Sequence, residues 1–264
     1  FPPGFSAELS LPHATHISLD VGFATRLRAP QATRLIANSE RGEAIDLAAL
    51  VEAAPKLTSL NLRSDVVLAP SLFANEACLR HLRELKMNTT DEGVLACLSR
   101  VRSLESVDVA CSRIRGGDLL ACFRNWSQLQ SLTLTAQNNA ARNLARLVQR
   151  MRSRTEQPRA ESAPECAFEG PARSNVRRFR LLLDGENDTR ELGRALTWVR
   201  APALSEFSCT SVGPSVFSFL SVNSNIHALT VTGSQLGQEL PEQELPFLNK
   251  LRWLRQSKDD SARI

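Results

Sequence analysis

The side chains with the most chemical potential in this sequence are its six cysteines, at positions 78, 97, 111, 122, 166 and 209, and its four histidines. A thiolate becomes a nucleophile or a soft metal ligand when a base or a second ligand stands beside it. No CxxC pair occurs, and Cys78, Cys97, Cys122 and Cys209 each fall in an apolar-periodic segment. That placement reads as buried free thiols in a reducing intracellular compartment, cytosol or mitochondrial matrix, rather than as a disulfide framework. His13 and His16 stand three apart without a further ligand at recognised metal spacing, so no metal site is expected. His81 and His227 adjoin apolar positions and read as boundary residues.

Phosphate-cradling and acyl-transfer chemistry leave other marks. No GxxxxGK[ST], GxGxxG or GxSxG run is present, and Gly116-Gly117 is an isolated turn pair. Nothing pairs a Ser or Cys with a base. The expectation is a non-enzymatic chain with no catalytic residue and no cofactor.

Charge offers a different kind of chemistry. From Arg142 to Arg180 there are ten Arg, no Lys and four Glu, a local charge of +6 in a chain whose total is +4. Within a helical pattern from Asn139 to Arg152, Arg142, Arg146, Arg150 and Arg154 recur every four residues opposite Leu144, Leu147, Val148 and Met151. No carboxylate stands four residues from any of them, so neighbouring guanidinium groups repel by a few tenths of ~1 kcal/mol per pair. An anionic surface would relieve that repulsion. Nucleic acid is disfavoured as the partner, because no aromatics interleave with the arginines to stack bases.

The elements that must position these groups come from a repeat. Apolar residues recur in the register apolar–x–x–apolar–x–apolar as Leu57-Leu60-Leu62, Leu82-Leu85-Met87, Leu104-Val107-Val109 and Leu129-Leu132-Leu134. The register resumes as Val176-Phe179-Leu181, Leu204-Phe207-Cys209 and Ile226-Leu229-Val231. A weaker copy, Ala32-Leu35-Ala37, precedes them, and a broken one, Leu251-Leu254, follows. First positions are 25, 25, 22, 25, 47, 28, 22 and 25 residues apart, and only the 47 breaks the period. The last two apolar positions alternate with polar residues, which predicts a short strand with one buried face.

Helical spacing follows each strand. It runs through Ile45/Leu47/Leu50/Val51, Val94/Leu95/Leu98/Val101 and Leu119/Leu120/Phe123/Trp126, then Leu192/Leu196/Val199 and Val216/Phe217/Leu220. Thr90 or Asp91 and Asp188 are candidate caps, and Pro214 stands in a first helical turn. One strand–helix unit cannot bury its own apolar face, whereas a stack of them shares a continuous core. A composition with 11 Phe, 3 Trp and no Tyr suits such thin layers.

The domain reading is a single chain-long unit. It has an N-terminal cap at 1–30, repeats at 30–152, an inserted loop at 153–175 rich in Pro, Ala, Ser and Glu, repeats at 176–256 and a polar tail at 257–264. Thr15 to Leu19 is a candidate capping strand. No apolar run reaches the ~18 residues of a transmembrane segment. The opening Phe1-Pro2-Pro3-Gly4 lacks the basic n-region of a signal peptide, and its missing Met fits a processed or trimmed chain.

Over residues 30 to 256 this register resembles the leucine-rich repeat, LxxLxLxxN/C, in its ribonuclease-inhibitor-like and cysteine-containing forms. The family's Asn/Cys position is held here by Asp65, Thr90, Ser112, Gln137, Asp184, Val212 and Ser234, most of which can still hydrogen-bond the turn backbone. The resemblance implies an α/β leucine-rich-repeat solenoid, a horseshoe of about eight strand–helix repeats with a parallel concave sheet. It also implies a protein–protein interaction scaffold, either an architectural or assembly subunit of a larger complex, with a mitochondrial complex among the candidates, or the substrate-recognition module of an F-box-type ubiquitin ligase. No F-box helix pattern stands at the N-terminus.

By register, the side chains projecting from the sheet are Ser59/Asn61/Arg63, Glu84/Lys86/Asn88, Ser106/Asp108/Ala110, Ser131/Thr133/Thr135, Arg178/Arg180/Leu182, Glu206/Ser208/Thr210, Ala228/Thr230/Thr232 and Trp253/Arg255. Arg and Trp are the types that anchor interfaces, which singles out Arg178, Arg180 and Trp253 beside the Arg142–Arg154 stripe.

Overall fold

A computed structural model describes residues 8–20, 26–38, 51–65, 79–89, 93–136, 171–183, 189–210, 214–232 and 253–256. Ten of its strands form one sheet. They are β2 (His16–Asp20), β4 (Arg34–Asn38), β5 (Ser59–Asp65), β6 (Glu84–Asn88), β7 (Ser106–Cys111), β8 (Ser131–Ala136), β10 (Arg178–Leu183), β12 (Glu206–Cys209), β13 (Ala228–Val231) and β14 (Trp253–Gln256). Each pairs in parallel with the next in chain order, so the sheet grows one strand per coil. This is the order a strand-per-unit repeat requires.

Burial follows the apolar triplet. Every first, second and third position from Ala32 to Val231 is at most 6% exposed, while the residues between them are exposed or half-exposed. The strands match in register as well. Leu35, Leu60, Leu85, Val107, Leu132, Phe179, Phe207, Leu229 and Leu254 lie side by side across the sheet. From Leu35 to Leu229, each side chain of this row removed from water contributes roughly 1.5–3 kcal/mol, and no single unit could collect that alone. The one slip among these pairings lies between Leu62 and Asp65, at the end of β5.

At the strand-entry edge a second ladder fixes the stacking. The Thr15 carbonyl accepts the N–H groups of Thr33 and Arg34, that of Thr33 accepts Thr58 and Ser59, and that of Thr58 accepts Arg83 and Glu84. The same double acceptance continues at Arg83, Glu105, Gln130, Arg177 and Ser205. Thr33, Thr58 and Ser205 add their hydroxyls to the same carbonyls. Backbone groups that a turn would otherwise leave unpaired are thereby satisfied by the preceding coil.

Helices α1 (Val94–Leu98), α2 (Gly116–Asn125), α3 (Thr189–Thr197) and α4 (Pro214–Val222) pack along one side of the sheet, α1 against α2, α2 against α3 and α3 against α4. The α1 cap position is Gly93, with no side-chain cap bond, rather than Thr90 or Asp91. Pro214 opens α4 as the sequence suggests. Val101 and Trp126 lie just past α1 and α2 yet stay buried, and Trp126 Nε1 donates to the Leu98 carbonyl at 3.1 Å.

Beyond α3 the helical pattern through Val199 does not hold. Val199–Arg200 (β11) instead pairs in parallel with Ala172–Arg173 (β9), the far end of the insertion. The pairing satisfies the N–H groups of Ala172 and Ser174 through the Trp198 and Arg200 carbonyls, which a longer helix would leave unpaired. A matching two-stranded parallel pair, β1 (Glu8–Ser10) with β3 (Arg26–Arg28), stands near the chain's first described coil. The strand expected at Thr15 to Leu19 is β2, the sheet's first member.

Candidate functional site

No described helix packs over the outer face of the sheet, and its side chains are the residues between the triplet positions, polar apart from Ile36 and Ala228. Their pairing follows from register. Lys86 and Asp108 are cross-strand neighbours and form an ion pair at 2.8 Å. Arg83 and Glu105, one residue before those strands, meet at 3.2 Å. Arg178 Nε lies 3.5 Å from Glu206 Oε1 on the adjacent strand. Exposed pairs of this kind stabilise by about 0–1 kcal/mol each, but they set the charge that the face presents.

Arg178 and Arg180 are therefore unequal. Arg178 is neutralised by Glu206, whereas Arg180, flanked in register by Thr133 and Ser208, forms no ion pair among the described residues. Around Arg180 stand the hydroxyls of Ser131, Thr133, Thr135, Ser208, Thr210, Thr230 and Thr232. The Thr210 hydroxyl is committed to the Leu183 backbone and that of Thr232 to the Cys209 carbonyl. Toward the chain's start, Asn61 Oδ1 on β5 is buried without a hydrogen-bond partner, between Ile36 and Lys86 in register.

Trp253 shares the row of Arg178, Glu206 and Ala228 on β14, three strands from Arg178 and hence roughly 14 Å away at ~4.8 Å per strand. Only its backbone falls within the described residues. The stripe of Arg142, Arg146, Arg150 and Arg154 lies outside them altogether.

The sequence singled out Arg178 on residue type alone and missed its partner. The signal was present, since Arg178 and Glu206 hold the same register position in consecutive triplets. Asn223 went unnoticed because a lone Asn carries no pattern. It is buried, accepts from the Ala201 N–H at 2.6 Å and donates to the Phe219 and Val199 carbonyls, tying α4 to β11.

Cys97, Cys111, Cys122 and Cys209 are free thiols, and Cys78 and Cys166 lie outside the described residues. Burial pushes the Cys111 and Cys209 thiols up to about 12 and raises Cys122 well above its ordinary value, with Asp118 adding to the rise at Cys111 and Cys122. Such thiols stay protonated at neutral pH and are poor nucleophiles. Among the described residues no three His, Cys, Asp or Glu side chains gather, and no helix is long and apolar enough to cross a membrane.

No family model matches this sequence, and no curated protein matches it. Among solved structures, a leucine-rich-repeat protein of Leptospira interrogans is similar at 13% identity and a TM-score of 0.29, over 86% of this chain and 67% of that one. The fold described above stands on this chain's own strand order, register and burial.

Proposed function

We propose that this chain is a non-enzymatic protein–protein interaction scaffold of leucine-rich-repeat type, an architectural or assembly subunit of a larger complex in a reducing compartment. One observation carries the reading: the outer face is a register-locked array of polar side chains that no described element covers. Helices occupy the opposite side, and the inward side chains are committed to the core. A partner surface carrying hydrogen-bonding groups and a carboxylate complements the stretch from β8 to β13, where hydroxyls surround the one outer-face guanidinium there without an ion pair. The Arg142–Arg154 stripe belongs to the proposal as a second contact for an anionic surface, on its spacing alone.

The test is differential capture. Tagged wild-type chain and Arg180→Glu are each used to recover partners from native material, with Arg124→Glu on the helix side as a control. Proteins held by wild type and by Arg124→Glu, but released at least about tenfold by Arg180→Glu, support the outer face. Equal recovery by all three refutes it.

A further inference from the structure

We infer that the chain carries a second recognition site, a cleft at the strand-entry edge that binds a phosphoryl group presented by a partner protein. The cleft has a volume of about 340 Å³ and is lined by Leu79, Arg80, Arg100, Val101, Arg102, Ser103, Ser127 and Gln128. It lies apart from the outer sheet face and draws on the turns of three successive coils. Its lining includes three arginines and no acidic residue. Among the described residues none of the three arginines forms an ion pair, unlike neighbouring Arg83, which Glu105 neutralises.

Register makes this cluster unusual. Arg80 and Arg102 occupy equivalent places, two residues before the first apolar position of their triplets, on coils about 4.8 Å apart. Like charges on adjacent rungs repel. The equivalent place elsewhere holds Pro30, Pro55, Ser127, Ser174, Pro202, Ser224 and Asn249, so the turn suits proline or a small polar residue and does not require a cation. Two arginines set against each other at this place, with Arg100 beside them, make sense if a shared anion offsets their repulsion.

The remaining donors fit an oxyanion. Arg80 Nε donates to His81 Nε2 at 3.0 Å, which orients the side chain and leaves its Nη groups unused. The Ser103 hydroxyl is committed to the Leu82 and Leu79 carbonyls at 2.7 and 3.2 Å, so it stiffens the wall rather than donating inward. The Ser127 hydroxyl and Gln128 amide complete the rim. Three guanidinium groups match a dianion with three acceptor oxygens better than a singly charged carboxylate. Aromatic rings are missing from the lining, which disfavours stacked nucleobases. The apolar floor of Leu79 and Val101 is buried, leaving no exposed anchor for a lipid surface. The volume exceeds what a bare phosphate fills and leaves room for the flanking peptide.

The fold itself supplies a clean variant. Arg102→Pro places proline where three other coils already carry it, and Arg100 is exposed, so Arg100→Gln/Arg102→Pro leaves the core intact. The full chain is titrated with a fluorescent Gly/Ser-rich peptide bearing one central phosphoserine, with its unphosphorylated twin, and with inorganic phosphate and a short single-stranded RNA as competitors. The expected result is saturable binding of the phosphopeptide, at least about tenfold weaker for the twin and for the double variant, with an unchanged melting temperature and with Arg34→Gln indistinguishable from wild type. Several results would overturn the inference. They are equal binding of the twin, retention by the double variant, equal loss in Arg34→Gln, tighter binding of free phosphate than of the phosphopeptide, or displacement by RNA at lower concentration than by phosphate.

Discussion

Two stretches of the core solve the same packing problem with different side chains. From Leu57 to Leu134 the inward positions are Leu, Val and Met, and successive coils differ by 22 to 25 residues. At Phe179 and Phe207 the second position turns aromatic, just where the coil lengths jump to 47 and 28, and it returns to Leu at Leu229. Phe179 meets Phe123 of α2 edge-on at 5.5 Å, and it contacts Phe207 at 5.4 Å and Phe219 of α4 at 5.9 Å. Phe207 and Phe219 close the group at 5.2 Å. On the sheet side the regular coils nest with aliphatic side chains, whereas the two coils that depart from the period bring rings to the second position. The insertion is thus accommodated at the helix side, through the β9–β11 pair, while the sheet continues in register from β8 to β10.

The severest way to break this contrast acts on both stretches together. Leu132 is 1% exposed on β8, flanked in register by Val107 and Phe179. Leu132→Asp buries a carboxylate with no partner and is expected to cost more than about 4 kcal/mol, abolishing the cooperative thermal transition followed by circular dichroism. A melt at the wild-type temperature would show that the two stretches do not share a core.

A finer comparison uses one register position in each stretch. Phe179→Ala should lose about 3–5 kcal/mol in urea unfolding, and Val107→Ala about 2 kcal/mol, because the ring touches three others and leaves the larger cavity. Equal losses would remove the special role given to the aromatic joint.

The smallest effect is one of pH. Cys111 and Cys122 belong to the aliphatic stretch and Cys209 to the aromatic one, and all three thiols are raised by burial above the ordinary value of 9.0. Below pH 9 both folded and unfolded chains hold these protons, so stability is unaffected. Above it the unfolded chain releases them and the folded chain does not, so stability falls as pH rises toward 12. For Cys111 and Cys209 the loss is about 1.4 kcal/mol each at pH 10, and Cys122 acts in the same direction. Cys209→Ala should flatten the alkaline loss by about that amount, and an unchanged slope would mean that Cys209 is not sealed.

Much of this architecture was legible beforehand because it rests on a period. The triplet positions from Ala32 to Val231 are buried as their spacing requires, strands β4 and β14 stand where the weak and broken copies of the pattern placed them, and β2 stands where a capping strand was expected. What escaped was non-periodic. Val199 looks helical by spacing, but a partner strand at Ala172–Arg173 claims it, and that partner lies inside an apparent loop. Cys111 is buried at the end of β7, although it falls outside the apolar pattern. The outer face was half readable: residue type nominated Arg178 and Arg180, and only register reveals that Glu206 pairs with the first and not with the second. The basic cleft was hidden because its arginines are spread over two turns that the chain brings together only by stacking.

The claim beneath all of this is that the strand after the insertion lies directly against the strand before it. Ser131 and Arg178, 47 residues apart, are register partners on β8 and β10. In Ser131→Cys/Arg178→Cys, mild oxidation and peptide mapping should reveal an intrachain disulfide, while Ser131→Cys/Glu206→Cys, separated by a further strand, should give none. A second pair that cross-links while the first does not would place β8 and β10 apart, and the shared core, the outer face and the cleft would all have to be redrawn.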